Sequence, residues 1–160
     1  MIRHSINYLI EAGRPRSLER AIVLAQVLLE SVSYAWLVQE TRRQTPAQFR
    51  RSTAAQTIRE MLSVMGIPTE LPGNLGALTA APAVGGHIDG PRAFTWTRNR
   101  LVHFEVDRPG IDPNVLLDAW RLGSWYCELT ILRMLEFNGR YRSRLSDQRW
   151  SGNVENVPWH

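Results

Sequence analysis

The hexapeptide from Arg98 to His103, Arg-Asn-Arg-Leu-Val-His, holds the residues best suited to chemistry in this 160-residue chain. Arginine is always charged in proteins and binds phosphate or carboxylate oxygens through paired hydrogen bonds. Histidine takes up and releases protons between pH 5 and 8. Together they can stabilise a developing negative charge and transfer a proton without a metal ion. Four scattered histidines and one cysteine do not supply a zinc-binding cluster, so we expect no metal and no cofactor.

Cleavage of an RNA phosphodiester is a reaction that such a set can catalyse. RNA carries its own nucleophile, the 2′-hydroxyl, so the protein has to remove that proton, stabilise the phosphorane and protonate the leaving 5′-oxygen. We assign proton transfer to His103, charge neutralisation to Arg98, and orientation of the imidazole or of a phosphate oxygen to Asn99. On a helix, Asn99 and His103 lie on one face, and the long Arg98 side chain can reach them. A lone helical histidine is also a common structural residue, so the spacing alone leaves that role open.

This stretch resembles the signature of the HEPN superfamily of small helical ribonucleases, which is an arginine, often a polar residue, and a histidine four to six positions on. Arg98, Asn99 and His103 match that pattern, and Val102 precedes the histidine as in many members. Phe104 stands where the family often has proline. The chain also resembles the HEPN domain of ApeA-type anti-phage defence proteins over nearly its whole length. The segments that support this resemblance are residues 21–30, 66–68, 89–91 and 157–159.

The resemblance implies an all-α, HEPN-like bundle of about four to five helices. It also implies a metal-independent endoribonuclease that acts on tRNA or other structured RNA during abortive infection, as an antiviral toxin. HEPN active sites are composite, so a homodimer is implied. ApeA proteins carry a large N-terminal region that this chain lacks, so a missing sensor domain or regulatory partner is expected. The alternative is a non-catalytic HEPN-type module that binds RNA or a protein, or that only dimerises.

Three further residues are candidates for supporting roles. Glu30 lies between Val27 and Tyr34 on an apolar stripe, and it could pair with Arg98 or Asn99, or else be exposed or paired elsewhere. Arg92 and Arg100, on or beside the motif helix, are candidate RNA-phosphate contacts, and they are the residues that we assign to RNA binding.

Composition favours a nucleic-acid partner only weakly. All 19 basic residues are arginine, and the formal net charge is +4. Arginine binds phosphate and stacks on bases, although a GC-rich coding bias also explains the absence of lysine. No run approaches 18 apolar residues, and the N-terminus lacks the apolar core of a signal peptide. We therefore expect no membrane span and a cytoplasmic location, with the single Cys127 as a core residue.

The pattern of apolar residues predicts one domain over residues 1–160, built from five helices. Apolar stripes on two faces of the second helix place it in the middle of a bundle or at a subunit interface. The helices are expected at residues 3–12, 18–40, 45–65, from Asp89 to before Pro109, and from Asp112 to about Asn138.

Glycine, proline and capping residues set the expected boundaries. Thr45-Pro46-Ala47-Gln48 predicts a capping box, Gly66 a helix stop, and Gly139 the end of the last helix. Residues 66–92 form a long Gly/Pro-rich loop before the motif helix, with a short turn around residues 75–78. Residues 140–160 are expected to be an extended tail that packs on the bundle through Trp150 and Trp159, the two tryptophans near its ends.

Overall fold

A computed structural model describes residues 2–13, 17–81, 89–103, 110–146 and 152–159. The predicted all-α class is confirmed, since 66% of the chain is helical and 3% is strand. The described ranges contain seven α-helices: α1 Ile2–Gly13, α2 Leu18–Tyr34, α3 Pro46–Arg51, α4 Ala54–Met65, α5 Gly76–Ala80, α6 Gly90–Val102 and α7 Pro113–Met134. Residues 82–88, residues 104–109 and Trp150 lie outside the described residues, so the expectations placed on them have no counterpart here.

Helix α2 is the central element of the bundle. It continues through a π-helical segment, Ala35–Glu40, and so spans the predicted residues 18–40. It packs against α1, α4, α6 and α7, which confirms that more than one of its faces is covered. By length and composition the Leu18–Glu40 segment could cross a membrane, because the mean hydropathy over 18 of its residues is 1.7. A search for unbroken apolar runs overlooks this segment. The core helix of a folded domain has the same length and composition, and 56% of that 18-residue stretch is buried inside the bundle.

The expected third helix is two helices. The predicted capping box at Thr45 and Gln48 is present, but a second capping box at Thr53 and Gln56 begins α4. Between them, Ser52 takes an extended backbone conformation, with ψ of 149°, and ends α3. The two capping boxes, each satisfying backbone N–H groups at a helix start, explain why the helix is interrupted. The predicted stop at Gly66 is confirmed, because this residue takes the left-handed conformation with φ of +74°.

Helix α7 ends at Met134, four residues before the predicted Asn138. The expectation that Gly139 ends it is wrong, because Glu136 takes the left-handed conformation with φ of +54°. The N–H of Phe137 then donates to the Leu132 carbonyl oxygen at 3.0 Å, which closes the helix end without a glycine.

The C-terminal tail contains a short ribbon. Strand β1, Arg140–Tyr141, pairs antiparallel with β2, Glu155–Asn156. Beyond the ribbon, Trp159 Nε1 donates to the Phe137 carbonyl oxygen at 3.0 Å, and the Arg133 guanidinium lies 5.5 Å from the Trp159 ring. The tail is thus attached to the end of α7 through Trp159, as the sequence predicts for this residue.

Helices α6 and α7 approach closely where α7 has a glycine. A Cβ atom on Gly123 would lie 2.3 Å from the Phe94 ring, and one on Gly90 would lie 2.0 Å from the Tyr126 hydroxyl. Phe94 of α6 contacts Gly123 of α7, and the earlier residue Gly90 contacts the later residue Tyr126. The two helices therefore run antiparallel. Next to this seam, Cys127 is fully buried, as predicted for a core residue, and burial raises its pKa.

The Gly123 contact is open to a direct test. We expect Gly123→Ala to lower the free energy of unfolding by about 1–3 kcal/mol, because the added methyl group overlaps the buried Phe94 ring. Gly76→Ala is the matched control, since a Cβ there meets nothing within 4 Å. Urea unfolding measures both. Equal stability of the two variants would contradict the close packing of α6 on α7.

Candidate functional site

The motif helix α6 is fixed at its N-terminus by Asp89. This carboxylate accepts a hydrogen bond from the Arg92 N–H at 3.0 Å and is paired with the Arg59 side chain of α4. The N–H of Gly90 donates to the Thr69 carbonyl oxygen at 2.8 Å. The predicted start of the helix at residues 89–91 is therefore confirmed, and Pro91 lies in the first turn as expected.

The pair between Asp89 and Arg59 has an electrostatic signature. Burial alone would raise the pKa of Asp89, but the Arg59 side chain and the Arg92 N–H outweigh burial and hold that pKa below its ordinary value. The hydrogen bond to Asp89 correspondingly raises the pKa of Arg59. The ionised pair thus links α4 to the start of the motif helix.

At the other end, α6 stops at Val102, one residue before the histidine. His103 is the C-cap, with φ of −102° and ψ of 91°, and its N–H donates to the Asn99 carbonyl oxygen at 3.0 Å. The expectation that Asn99 and His103 form a pair within the helix therefore needs correction, because His103 has already left helical geometry. Both side chains are exposed to solvent.

Arg98 connects the core to this exposed end. One of its terminal nitrogens, Nη1, donates to Asn99 Oδ1 at 3.3 Å. Its Nε is buried and finds no hydrogen-bond partner among the described residues. An unpaired buried N–H costs about 1–3 kcal/mol of stability. The side chain is thus half-buried along its stem, with part of the guanidinium beside exposed Asn99.

The predicted support from Glu30 is not formed. Glu30 is half-buried on α2, and its Oε1 accepts a hydrogen bond from Gln26 Nε2 at 2.5 Å. No hydrogen bond or ion pair joins it to Arg98 or Asn99 within the described part of the chain. The reason is local, since Gln26 lies one turn earlier on the same helix and reaches Glu30 directly.

The two arginines assigned to RNA binding lie on α6 with a tryptophan between them. Arg92, Trp96 and Arg100 are spaced four residues apart, so they follow one slowly turning stripe along the helix. The Arg100 guanidinium lies 5.1 Å from the centre of the half-buried Trp96 ring, and Arg92 is exposed. We call Arg92, Trp96, Asn99 and Arg100 the α6 stripe. Trp96 is absent from the sequence-based assignment, although its spacing from both arginines could have revealed it.

The charge of α6 has one sign. Its thirteen residues include three arginines and no acidic residue. Asp89, which precedes the helix, is paired with Arg59. Arg92 begins the stripe, while Arg98 lies roughly 9 Å and His103 roughly 16 Å further along the helix axis. The helix therefore presents positive charge along its length, with the proton-transfer candidate at one end.

These features define an all-α domain in which a basic helix, closely packed on a long neighbour, carries the candidate residues. The chain belongs to the YopA C-terminal domain family, whose sequence model matches residues 1–156. It is 28% identical over 155 residues to the SPbeta prophage-derived uncharacterized protein YopA of Bacillus subtilis (strain 168). The match covers 96% of this chain and 34% of that protein, so the chain spans about a third of its relative's length. No solved structure matches the chain.

The pair at the start of α6 predicts a specific pH dependence. The lowered pKa means that ionised Asp89 stabilises the folded state, fully above the ordinary value of 3.8 and progressively less as pH falls through the lower folded-state value. We expect Asp89→Asn, which keeps a good helix cap, to be less stable than the wild type at pH 7. Urea unfolding from pH 7 to 2.5 should show the difference shrinking below about pH 4. A difference that is constant with pH would contradict the ion pair.

Proposed function

We propose that the chain is a metal-independent endoribonuclease domain that cleaves RNA by 2′-hydroxyl transesterification. The observation that carries the proposal is the grouping at the end of α6, where Arg98 is hydrogen-bonded to exposed Asn99 and exposed His103 follows within one turn. Arg98 stabilises charge on the phosphoryl oxygens, His103 moves the proton, and Asn99 orients either the phosphate or the imidazole. These are the three residues to which the HEPN resemblance assigns catalysis.

The α6 stripe supports RNA as the substrate. Arginine binds phosphate through two parallel hydrogen bonds, and an aromatic ring stacks on unpaired bases. Arg92 and Arg100 flank Trp96 on a helix without acidic residues, so a single strand could follow the helix towards His103. Loops of tRNA or of another structured RNA supply such strands, which makes them the favoured substrates of this proposal.

The proposed active form is a homodimer with a composite site. Val102 and Leu117 are large apolar residues with 43% and 39% of their surfaces exposed. Antiparallel packing puts the end of α6 next to the first half of α7, so these residues lie at the same end of the helix pair. A second copy that covers them would bring two sets of Arg98, Asn99 and His103 towards one another.

The biological setting follows from the relative and from the resemblance. The matching Bacillus protein is prophage-derived by its name, and the ApeA-type resemblance points to anti-phage defence. We place the activity in conflict between phage and host, in the cytoplasm, where RNA is accessible. Because the chain spans about a third of that relative, a sensor region or a regulatory partner would control the nuclease.

The proposal is tested by mutating the motif. Purified wild-type protein, His103→Ala, Arg98→Ala and the control Arg50→Ala are incubated with total tRNA in excess EDTA. We expect His103→Ala, which removes the general acid or base, and Arg98→Ala, which removes the charge stabilisation, each to lose at least about 100-fold in cleavage rate, while Arg50→Ala retains activity. Arg50 is exposed on α3. Equal cleavage by all four proteins would contradict the assignment.

A second candidate function, RNA binding without cleavage, is favoured by the position of His103 outside the helix, where it is not paired with Asn99 on one helix face. In this case His103→Ala binds RNA as the wild type does, and no products form at any time. Arg92→Ala would weaken binding and reduce the slope of log affinity against log salt by about 1, because one phosphate contact is lost. Arg51→Ala, which removes an exposed arginine of α3, is the matched control.

A further inference from the structure

A cleft rich in arginine opens beside α7, outside the site already described. Its volume is about 450 Å³, and its walls include Arg121, Arg142 and Arg144. Trp120 and Glu128 of α7 also line the cleft, and we call these five residues the arginine cleft. The volume lies in the range of small-molecule sites and is well above what a bare phosphate needs.

The arginine cleft and the motif helix lie on opposite sides of α7. Gly123 and Tyr126 face α6, as their close approach to Phe94 and Gly90 shows. Arg121 and Glu128 each lie two residues from one of these positions, which is about 200° around the helix. They are also seven residues apart, so they share one face. A ligand in the cleft would therefore be separated from Arg98 by the body of α7.

The walls of the cleft are held in place by hydrogen bonds. Arg121 Nη2 donates to the Leu145 carbonyl oxygen at 2.8 Å, and Asn74 Nδ2 donates to the same oxygen at 2.5 Å. Arg144 Nε donates to Glu128 Oε1 at 2.5 Å, which ties the segment after β1 to α7. These bonds fix the backbone of the segment against α7, so Arg121 and Arg144 are ordered before any ligand arrives.

The charge and chemistry of the walls specify the ligand. Three arginines and one glutamate line the cleft, a composition that favours an anion. Arg144 contacts Glu128 through Nε, so that contact does not use its two terminal nitrogens. Burial raises the pKa of Glu128 and the Arg144 pair opposes that rise, so the carboxylate is costly to leave without its partner. The half-buried ring of Trp120 adds a surface on which a planar group can stack.

We propose that the arginine cleft binds a nucleotide, with its phosphate on Arg142 and Arg144 and its base against Trp120. Arginine binds phosphate through paired hydrogen bonds, and a tryptophan ring stacks on a base irrespective of its sequence. Glu128 Oε2 can accept a hydrogen bond from a ribose hydroxyl. The site is distinct from the proposed nuclease centre and does not depend on that function.

Calorimetric titration with AMP, ATP and inorganic phosphate tests this proposal without RNA. We expect one molecule of AMP or ATP per chain, at least tenfold weaker binding to Arg142→Ala, and no weakening in Arg51→Ala or His103→Ala. Trp120→Leu should weaken AMP binding while leaving any phosphate binding unchanged. Arg142→Glu serves as a second variant should Arg142→Ala fail to fold, which far-UV circular dichroism reports.

Several outcomes would overturn the proposal. Absence of AMP and ATP binding to the wild type at 1 mM nucleotide concentration, or unchanged affinity in folded Arg142 variants, would refute the site. Phosphate that binds as tightly as AMP would refute the nucleotide and leave a simple anion site. Because the readout is binding, loss of RNA cleavage in His103→Ala with retained AMP binding separates this proposal from the nuclease.

Discussion

The close contact between α6 and α7 is the constraint on which the candidate site depends. Gly123 lets the Phe94 ring lie against the α7 backbone, and Gly90 makes room for the Tyr126 hydroxyl. The pair of Asp89 with Arg59 fixes the start of α6 on α4, so the helix is held at its origin and along its length. The end of α6 then places half-buried Arg98 beside exposed Asn99, with exposed His103 directly after the helix.

Local signals in the sequence predicted much of this arrangement. Capping residues and glycines act within a few positions of themselves, so they predict the starts at Thr45 and Asp89 and the stop at Gly66 correctly. The two-sided burial of the 18–40 helix also follows from its apolar pattern. The break before Thr53 was local too, and a second capping box could have predicted it.

Other features are not settled by these capping and glycine rules. Glu30 bonds to Gln26 one turn earlier on α2 instead of to the motif, and α6 ends at Val102, so His103 lies outside the helix. The end of α7 at Glu136 uses a left-handed residue that is not glycine, which sequence rules disfavour. The arginine cleft joins residues of α7 to a tail segment at least 14 residues further along the chain, so only the folded chain brings its walls together.

The most direct test of the proposed chemistry changes the substrate instead of the protein. An RNA cleaved at one mapped position is compared, in EDTA, with the same RNA carrying a single 2′-deoxy nucleotide on the 5′ side of the scissile phosphate. Transesterification predicts 2′,3′-cyclic phosphate ends on the first RNA and no cleavage at that position of the second. Cleavage of the deoxy-substituted RNA at an undiminished rate would contradict the account, because the nucleophile would then come from elsewhere.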